Sequence, residues 1–388
     1  MKLCLVGGAR PNFMKIAPLV RAIATKNKTN ERTQINYKIV HTGQHYDYDM
    51  SNIFFKDLGI PKPAVFLDIG SGSHGEQTGK IMIAFEKVLL RGKVDIVTVV
   101  GDVNSTIACA LAATKLHIPV AHVEAGLRSF DRTMPEEINR VLTDQISDYL
   151  FTPSSDANGN LKREGISSDK IYLVGNIMID NLLSNLKKAQ KSNIFENLGL
   201  ITSSPGASIK DYALLTLHRP SNVDHKESLR EIIGALKEIS KEFPIIFPMH
   251  PRTRKMVTEF NLEKYFNFGK NKPQVPIKLS NSIYALDPLG YIDFLGLMSK
   301  AKIVLTDSGG IQEETAVLGI PCLTLRDATE RPITLAQGTN ILVHNDKKRI
   351  LEGARKLLKE PKRTANCPKL WDGKTAERII DILYEKLS

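Results

Sequence analysis

Short, β-branched apolar runs recur along the 388-residue chain, each followed by a turn and then by a stretch with helical spacing. In the first half they are KLCLVG (2–7), YKIVHTG (37–43), DIVTVVGD (95–102), PVAHVEAG (119–126), DYLFTP (148–153) and KIYLVGN (170–176). In the second half they are YALLTLHRP (212–220), PIIFPMHP (244–251), IYALDPLG (283–290), KIVLTDSGG (302–310) and PCLTLR (321–326). Consecutive rather than alternate residues are apolar, as in strands covered on both faces. Helical stretches between such strands imply parallel β-α-β units. Six runs followed by five, in a chain too long for one ordinary core, predict an α/β fold of two Rossmann-like, doubly wound domains.

The polar stretch 181–211, which ends in Ser, Pro and Gly, places the junction near 176–180. The expected domains are 1–176 and 177–365, with residues 366–388 returning to the first. That tail holds TAERIIDILYEKL (375–387), whose Ile379, Ile380, Ile382, Leu383 and Leu387 fall at helical spacing and must pack somewhere.

The formal charge is +11, which raises the question of a nucleic-acid partner. The basic residues lie in segments such as NLKKAQK (185–191) and DKKRILEGARKLLKEPKR (346–363), interleaved with Glu and Leu at helical spacing. Solvated helix faces explain them better, and an anionic small substrate also suits a basic protein. The start, MKLCLVGGARPNFMK, has too short an apolar run for a signal peptide. No run approaches the roughly 18 apolar residues of a membrane helix. Cys4, Cys109, Cys322 and Cys367 are scattered and form no C-x-x-C pair, so reduced thiols in a cytosolic protein are expected, with no metal site.

Ligands of open α/β sheets sit at the carboxyl ends of the strands. The residues that follow the runs are Gly8-Ala9-Arg10, Gln44-His45, Asp102, Glu124, His218-Arg219, His250-Pro251-Arg252 and Asp307-Ser308-Gly309-Gly310. Each alone has an ordinary turn or cap explanation. Together they predict a polar cleft between two domains.

Three constellations stand out. In TDSGGIQEETAVLG (306–319), Gly309 and Gly310 let a ligand approach a helix start, whose dipole favours an anion. Ser308 is placed to cap that helix or to bond a phosphate. Glu313 and Glu314 suit the dipole, or one of them grips a ribose. In GGARPNFMK (7–15), a glycine pair with Arg10 and Lys15 resembles a phosphate loop without matching G-x-G-x-x-G or a Walker A sequence. Asp102, Glu124 and PEEINR (135–140), with Glu136, Glu137 and Arg140, bring carboxylates to one side of the first domain. Such a cluster divides into acid and base and suits proton abstraction and return at a carbon. Ser308 lacks the G-x-S-x-G setting of a serine hydrolase.

The ordered segments GGARPNFMKIAPL, TGQHYD, GDVNST, HVEAGLRS, PEEINR, LHRPSN, HPRTRK, DSGGIQEE and TERP resemble the UDP-N-acetylglucosamine 2-epimerase family, over residues 2 to about 345. The resemblance implies a glycosyltransferase-B arrangement with the active site in the interdomain cleft. It implies interconversion of UDP-N-acetylglucosamine and UDP-N-acetylmannosamine by eliminating UDP to 2-acetamidoglucal and adding it back, with no nicotinamide or metal. It makes Asp102, Glu124 and Glu136 the acid–base carboxylates and His218 a catalytic or phosphate-contacting histidine. Arg10, Lys15 and Arg140 become basic site residues, and Ser308, Gly309 and Gly310 the diphosphate cradle. Glu314 matches a ribose-binding carboxylate, Phe294 an aromatic near the uracil, and His250 and Arg331 further nucleotide contacts. A homodimer is the family expectation. GARPN stands where the family commonly has GTRPE, and HRPSN where it has HRREN, which bears on allosteric activation and leaves UDP-sugars modified at C3 or C6 open. The Arg10-Pro11 pair favours the non-hydrolysing reaction over release of N-acetylmannosamine. A glycosyltransferase is a further alternative.

Overall fold

The computed structural model describes residues 1–29, 34–44, 55, 58–201, 208–269, 280–359 and 367–387. Its contacts divide the chain into two compact units, Met1–Asn181 with Lys369–Ser388, and Leu182–Pro368. The division falls inside the helix Ile177–Ala189.

The first unit is built on β1 (Lys2–Gly7), β2 (Asn36–His41), β3 (Val65–Phe66), β4 (Ile96–Val100), β5 (Val120–Val123), β6 (Tyr149–Thr152) and β7 (Ile171–Leu173). They form one parallel sheet in the order β3-β2-β1-β4-β5-β6-β7. Every residue of β4 and β5 is buried, which is why these runs read as continuously apolar. Cys4, Val6, Val97 and Val99 share a core with Ile81, Phe85 and Cys109 of the covering helices. Each large apolar side chain so buried contributes about 1.5–3 kcal/mol. The C-terminal helix Thr375–Leu387 packs on the helix Arg10–Thr29 and buries Ile379, Ile380 and Leu383. Its opening N–H groups at Thr375 and Ala376 are capped by the buried Asp180 carboxylate at 3.1 and 2.7 Å.

The second unit repeats the plan. β8 (Ala213–Thr216), β9 (Ile245–Pro248), β10 (Asn267–Phe268), β11 (Ile283–Leu286), β12 (Ile303–Thr306), β13 (Cys322–Thr324) and β14 (Asn340–Leu342) run parallel in the order β10-β11-β9-β8-β12-β13-β14. Its core joins Leu215, Ile245, Phe247 and Leu305 to Ile232, Leu236, Ile350 and Leu357. The basic helix Lys347–Lys359 buries Ile350, Gly353, Ala354 and Leu357, and most of its Lys and Arg stay outside the core.

The strand count corrects the sequence reading: β3, β10 and β14 were not among the runs. Each has only two or three residues, so none makes an apolar run that stands out from its flanks. Both sheets reverse strand order beside their first strand, between β1 and β4 and between β8 and β12. The carboxyl ends of those strands are where such sheets bind ligands. Among the described residues no helix is long and apolar enough to cross a membrane. Cys4, Cys109 and Cys322 are buried free thiols, and Cys367 is exposed.

Candidate active site

The carboxyl edge of the first sheet is closed by its own side chains. The N–H groups of Gly8 and Ala9 both donate to Asn12 Oδ1 at 3.0 Å, and Asn12 Nδ2 donates to the Val100 carbonyl at 3.0 Å. A methyl group on Gly8 would overlap Ser105 Oγ, at 2.0 Å. The Gly8 and Ala9 amides of this turn are thus taken by Asn12, and Gly8 is glycine so that the loop can lie against the helix Asn104–Lys115. Arg10 is exposed at the first position of its helix, whereas Lys15, one and a half turns on, is buried and ion-paired with Glu124. That pair lies against the backbone just before Asp102, since an added Cβ on Gly101 would come 2.8 Å from Lys15 Nζ and 3.5 Å from Glu124 Oε2. Glu124 sits at φ 76°, a left-handed backbone that a non-glycine residue holds only under constraint.

Asp102 follows β4 and accepts a hydrogen bond from Arg140 Nη2 at 2.5 Å. The other face of that guanidinium, Nη1, donates to Glu137 Oε2 at 2.9 Å. Glu137 also accepts the Ser129 and Phe130 N–H groups, each at 2.9 Å, so it organises the preceding loop. Glu136, beside it, is half-buried and has no hydrogen-bond partner among the described residues. Of the two acids in PEEINR, Glu137 is thus structural and Glu136 is available. The carboxylates do not press on one another bare: Glu124 has Lys15 and Asp102 has Arg140.

Beneath them lies a network that the sequence reading passed over. His122 on β5 contacts Asp144 Oδ1 through Nδ1 at 2.6 Å and the Gly101 carbonyl through Nε2 at 2.8 Å. Asp144 Oδ2 accepts the Gly126 N–H at 3.1 Å and pairs with Arg128, which also binds Glu164 through two bonds. Burial alone would raise the Asp144 pKa, but His122 and Arg128 hold it below the usual carboxylate range. The available signal was the polar HVEAGLRS itself, whose His122 and Arg128 both meet Asp144 of the helix Pro135–Ile146. On the β2 side, Gln44 Oε1 accepts from the Ser105 N–H and hydroxyl at 3.0 and 2.7 Å. His45 lies outside the described residues.

The carboxyl edge of the second sheet is built differently. Ser308 precedes the helix Gly309–Leu318 but makes no capping hydrogen bond, and the first amides of that helix have no acceptor among the described residues. Gly319, at φ 68°, ends the helix in the left-handed turn that favours glycine. The Arg331 guanidinium lies under the helix start: a methyl on Gly309 would meet Nη1 at 2.6 Å. Arg331 is fixed by Glu313 Oε1 at 2.7 Å and Glu330 Oε2 at 3.5 Å. Glu330 also takes two bonds from Arg326, at 2.7 and 3.0 Å, and lies 3.6 Å from Arg219. Burial opposes its charge, yet Arg326, Arg331 and Arg219 hold it far below the ordinary carboxylate range. Arg219, Arg326 and Arg331 gather around Glu313, Glu330 and Asp307, next to bare helix amides. Such an arrangement binds anions.

His218 follows β8, His250 caps the helix Pro251–Glu259, and their ring centroids are 5.7 Å apart. His250 Nδ1 accepts the Arg252 N–H at 3.1 Å, and burial followed by His218 lowers its pKa. Glu314 is buried, and its pKa is pushed up to about 7 by that burial; Tyr291 donates to its Oε1 at 3.0 Å. Phe294 is half-buried one turn beyond Tyr291, on the same helix face. Within this edge the structure brings together His218, His250, Ser308, Gly309 and Arg331. It also shows Asp307, Arg219, Arg326 and Glu330 as their partners.

The sequence pattern of the UDP-N-acetylglucosamine 2-epimerase family matches residues 27–384. The chain belongs to this family. It is an isomerase. A UDP-N-acetylglucosamine 2-epimerase of Methanocaldococcus jannaschii is 49% identical over 385 residues, covering 99% of each chain. A UDP-2,3-diacetamido-2,3-dideoxy-D-glucuronate 2-epimerase of Pseudomonas aeruginosa is 42% identical over 359 residues, 92% of each. The crystal structure of the M. jannaschii UDP-GlcNAc 2-epimerase, in complex with UDP-GlcNAc and UDP, superposes with a TM-score of 0.84 at 46% identity, covering 99% of this chain and all of that one. Two parallel sheets with alternating helices are thus the fold of this epimerase family.

Proposed function

We propose that the chain is a non-hydrolysing epimerase that interconverts UDP-N-acetylglucosamine and UDP-N-acetylmannosamine. The observation that carries this reading is the bare start of the helix Gly309–Leu318 with Arg331 beneath it, in a chain of this family. The helix amides, Ser308, Gly309, Gly310 and Arg331 hold the diphosphate. Glu314 takes the ribose hydroxyls, Phe294 lies near the uracil, and His218 and His250 contact the phosphate end.

The C2 proton is removed, the C1–O bond to UDP breaks, and a C1–C2 double bond forms. In the return, UDP adds to C1 and a proton is delivered to the opposite face of C2. Asp102, Glu124 and Glu136 do this proton work. Asp102 and Glu136, the two with open side-chain surface, reach the C2 proton, while Glu124 acts with Lys15 behind them. Arg140 orients Asp102. Arg10 stands at the mouth of the first loop. Arginines fixed on buried carboxylates keep the departing UDP in place for its return, which favours re-addition over hydrolysis. The UDP-sugar is the partner, and we expect a cytosolic homodimer, which sedimentation of the purified protein checks.

Proton NMR with UDP-N-acetylglucosamine in deuterated water tests the reaction. Deuterium at C2 in an equilibrium mixture of both UDP-sugars is expected. Free N-acetylmannosamine with UDP would move the enzyme to the hydrolysing branch. The 42% identity to the Pseudomonas enzyme favours a second reading, a substrate modified at C3 or C6. That reading gains if UDP-N-acetylglucosamine is inert and UDP-2,3-diacetamido-2,3-dideoxyglucuronate exchanges its C2 proton.

A further inference from the structure

Asp307, at the end of β12, is fully buried, yet only half of its carboxylate serves the fold. Oδ2 takes three donors: the N–H groups of His218 and Arg219 at 2.9 and 2.8 Å, and Asn222 Nδ2 at 3.2 Å. These bonds set the plane of the group and tie the loop after β8 to the end of β12. Oδ1 is turned to the His218 ring, whose Nδ1 stands 2.9 Å away. The contact is close but not aligned as a full hydrogen bond, and Oδ1 has no aligned donor among the described residues. The His218 side chain is 41% exposed while that of Asp307 is 0%, so the ring edge away from the carboxylate is the accessible one.

We propose that Asp307 is the positioning residue for His218, holding Nδ1–H toward its carboxylate and Nε2 toward the substrate. The inference rests on the reading of His218 as a substrate-contacting group. A carboxylate accepts and does not donate, so it selects the ring form with hydrogen on Nδ1. Burial works against charge on Asp307, but the His218 contact and the backbone N–H groups keep its pKa below the ordinary value. His250 is locked the other way. Its Nδ1 already accepts the Arg252 N–H, so its hydrogen is on Nε2. The two neighbouring rings therefore offer different chemistry: His218 presents a nitrogen that can take and return a proton, and His250 presents a fixed donor.

The test compares wild type, Asp307→Asn, His218→Ala and the double variant by C2 proton exchange. It adds nitrogen-15 spectra of histidine-labelled protein. Asp307→Asn and His218→Ala are each expected to slow exchange by roughly two to four decades, with the double variant no slower than His218→Ala. Wild-type His218 should carry hydrogen on Nδ1. In Asp307→Asn it should move to Nε2, because the amide oxygen stays with the three N–H donors and the NH₂ turns to the ring. Normal exchange in Asp307→Asn beside a crippled His218→Ala overturns the proposal and spares the reading of His218. A full further loss on adding Asp307→Asn to His218→Ala overturns it too, in favour of a scaffold role. Hydrogen on Nε2 in wild-type His218 overturns it even if the Asn variant fails to fold. Normal exchange in His218→Ala removes the underlying reading, and the proposal with it.

Discussion

The two sheets share a topology and differ at the same place. At the β1/β4 edge the glycine turn and two of the carboxylates have internal partners: Asn12 holds Gly8 and Ala9, Lys15 holds Glu124, and Arg140 holds Asp102. At the β8/β12 edge the corresponding helix start is bare and has the Arg331 guanidinium against it. One switch point is a frame for carboxylates and the other leaves a helix start open, which we propose is a socket for an anion. A Rossmann-like topology dictates where a site forms, and the side chains after each strand decide what it does.

The largest effects should come from the carboxylate frame. Asp102→Asn and Glu136→Gln are expected to cut turnover by roughly two to four decades while UDP affinity stays near wild type. Isothermal titration with UDP beside a C2 exchange assay separates the two quantities. Loss of UDP binding in Asp102→Asn would erase the distinction between the edges. Glu124→Gln should add a stability defect that Glu136→Gln lacks. It leaves the buried Lys15 ammonium without its counter-charge, at a cost of about 3 kcal/mol, readable by chemical denaturation.

This contrast was only half visible in the sequence. The long strands were legible because burial on both faces leaves consecutive apolar residues, as in β4 and β12. β3, β10 and β14 were not, because pairing with a longer neighbour specifies them more than their own two or three residues do. Ser308 and Asp102 could be placed at strand ends by spacing. The partners of Asp102 and Glu313 could not, since Arg140 reaches Asp102 and Arg331 reaches Glu313 through the tertiary fold. A pattern of glycines likewise does not show that the Gly8 and Ala9 amides of GGARPN are taken by Asn12, in the first turn of the helix that follows.

Two predictions of comparable size address the socket. Glu314 has its pKa raised from 4.5 to about 7. Between those values the unfolded chain gives up this proton and the folded one keeps it. Its contribution to unfolding free energy therefore falls as pH rises through that window and levels off above it, by about 3 kcal/mol in all. Glu314→Gln should remove this slope, which denaturation at pH 5 and pH 8 without UDP would show. An unchanged slope would place the titrating group elsewhere. Gly309→Ala should push on the Arg331 guanidinium, which Glu313 and Glu330 prevent from moving aside. We expect UDP to bind about tenfold more weakly, the scale of one charge-assisted contact. Wild-type affinity would mean that Arg331 does not serve the anion.

The smallest effect should fall on Gly310, one residue along. A Cβ there meets nothing within 4 Å. Gly310→Ala should therefore leave unfolding free energy within about 0.5 kcal/mol of wild type, since it disturbs no packed neighbour. The empty space in front of it is where a diphosphate would lie against the helix amides. If the socket holds UDP there, the added methyl must still weaken UDP binding, by less than Gly309→Ala does, with stability unchanged. Equal binding in the two proteins would shift the diphosphate off the helix axis and onto Arg331 and Arg219. The two edges would then differ in their arginines rather than in their amides.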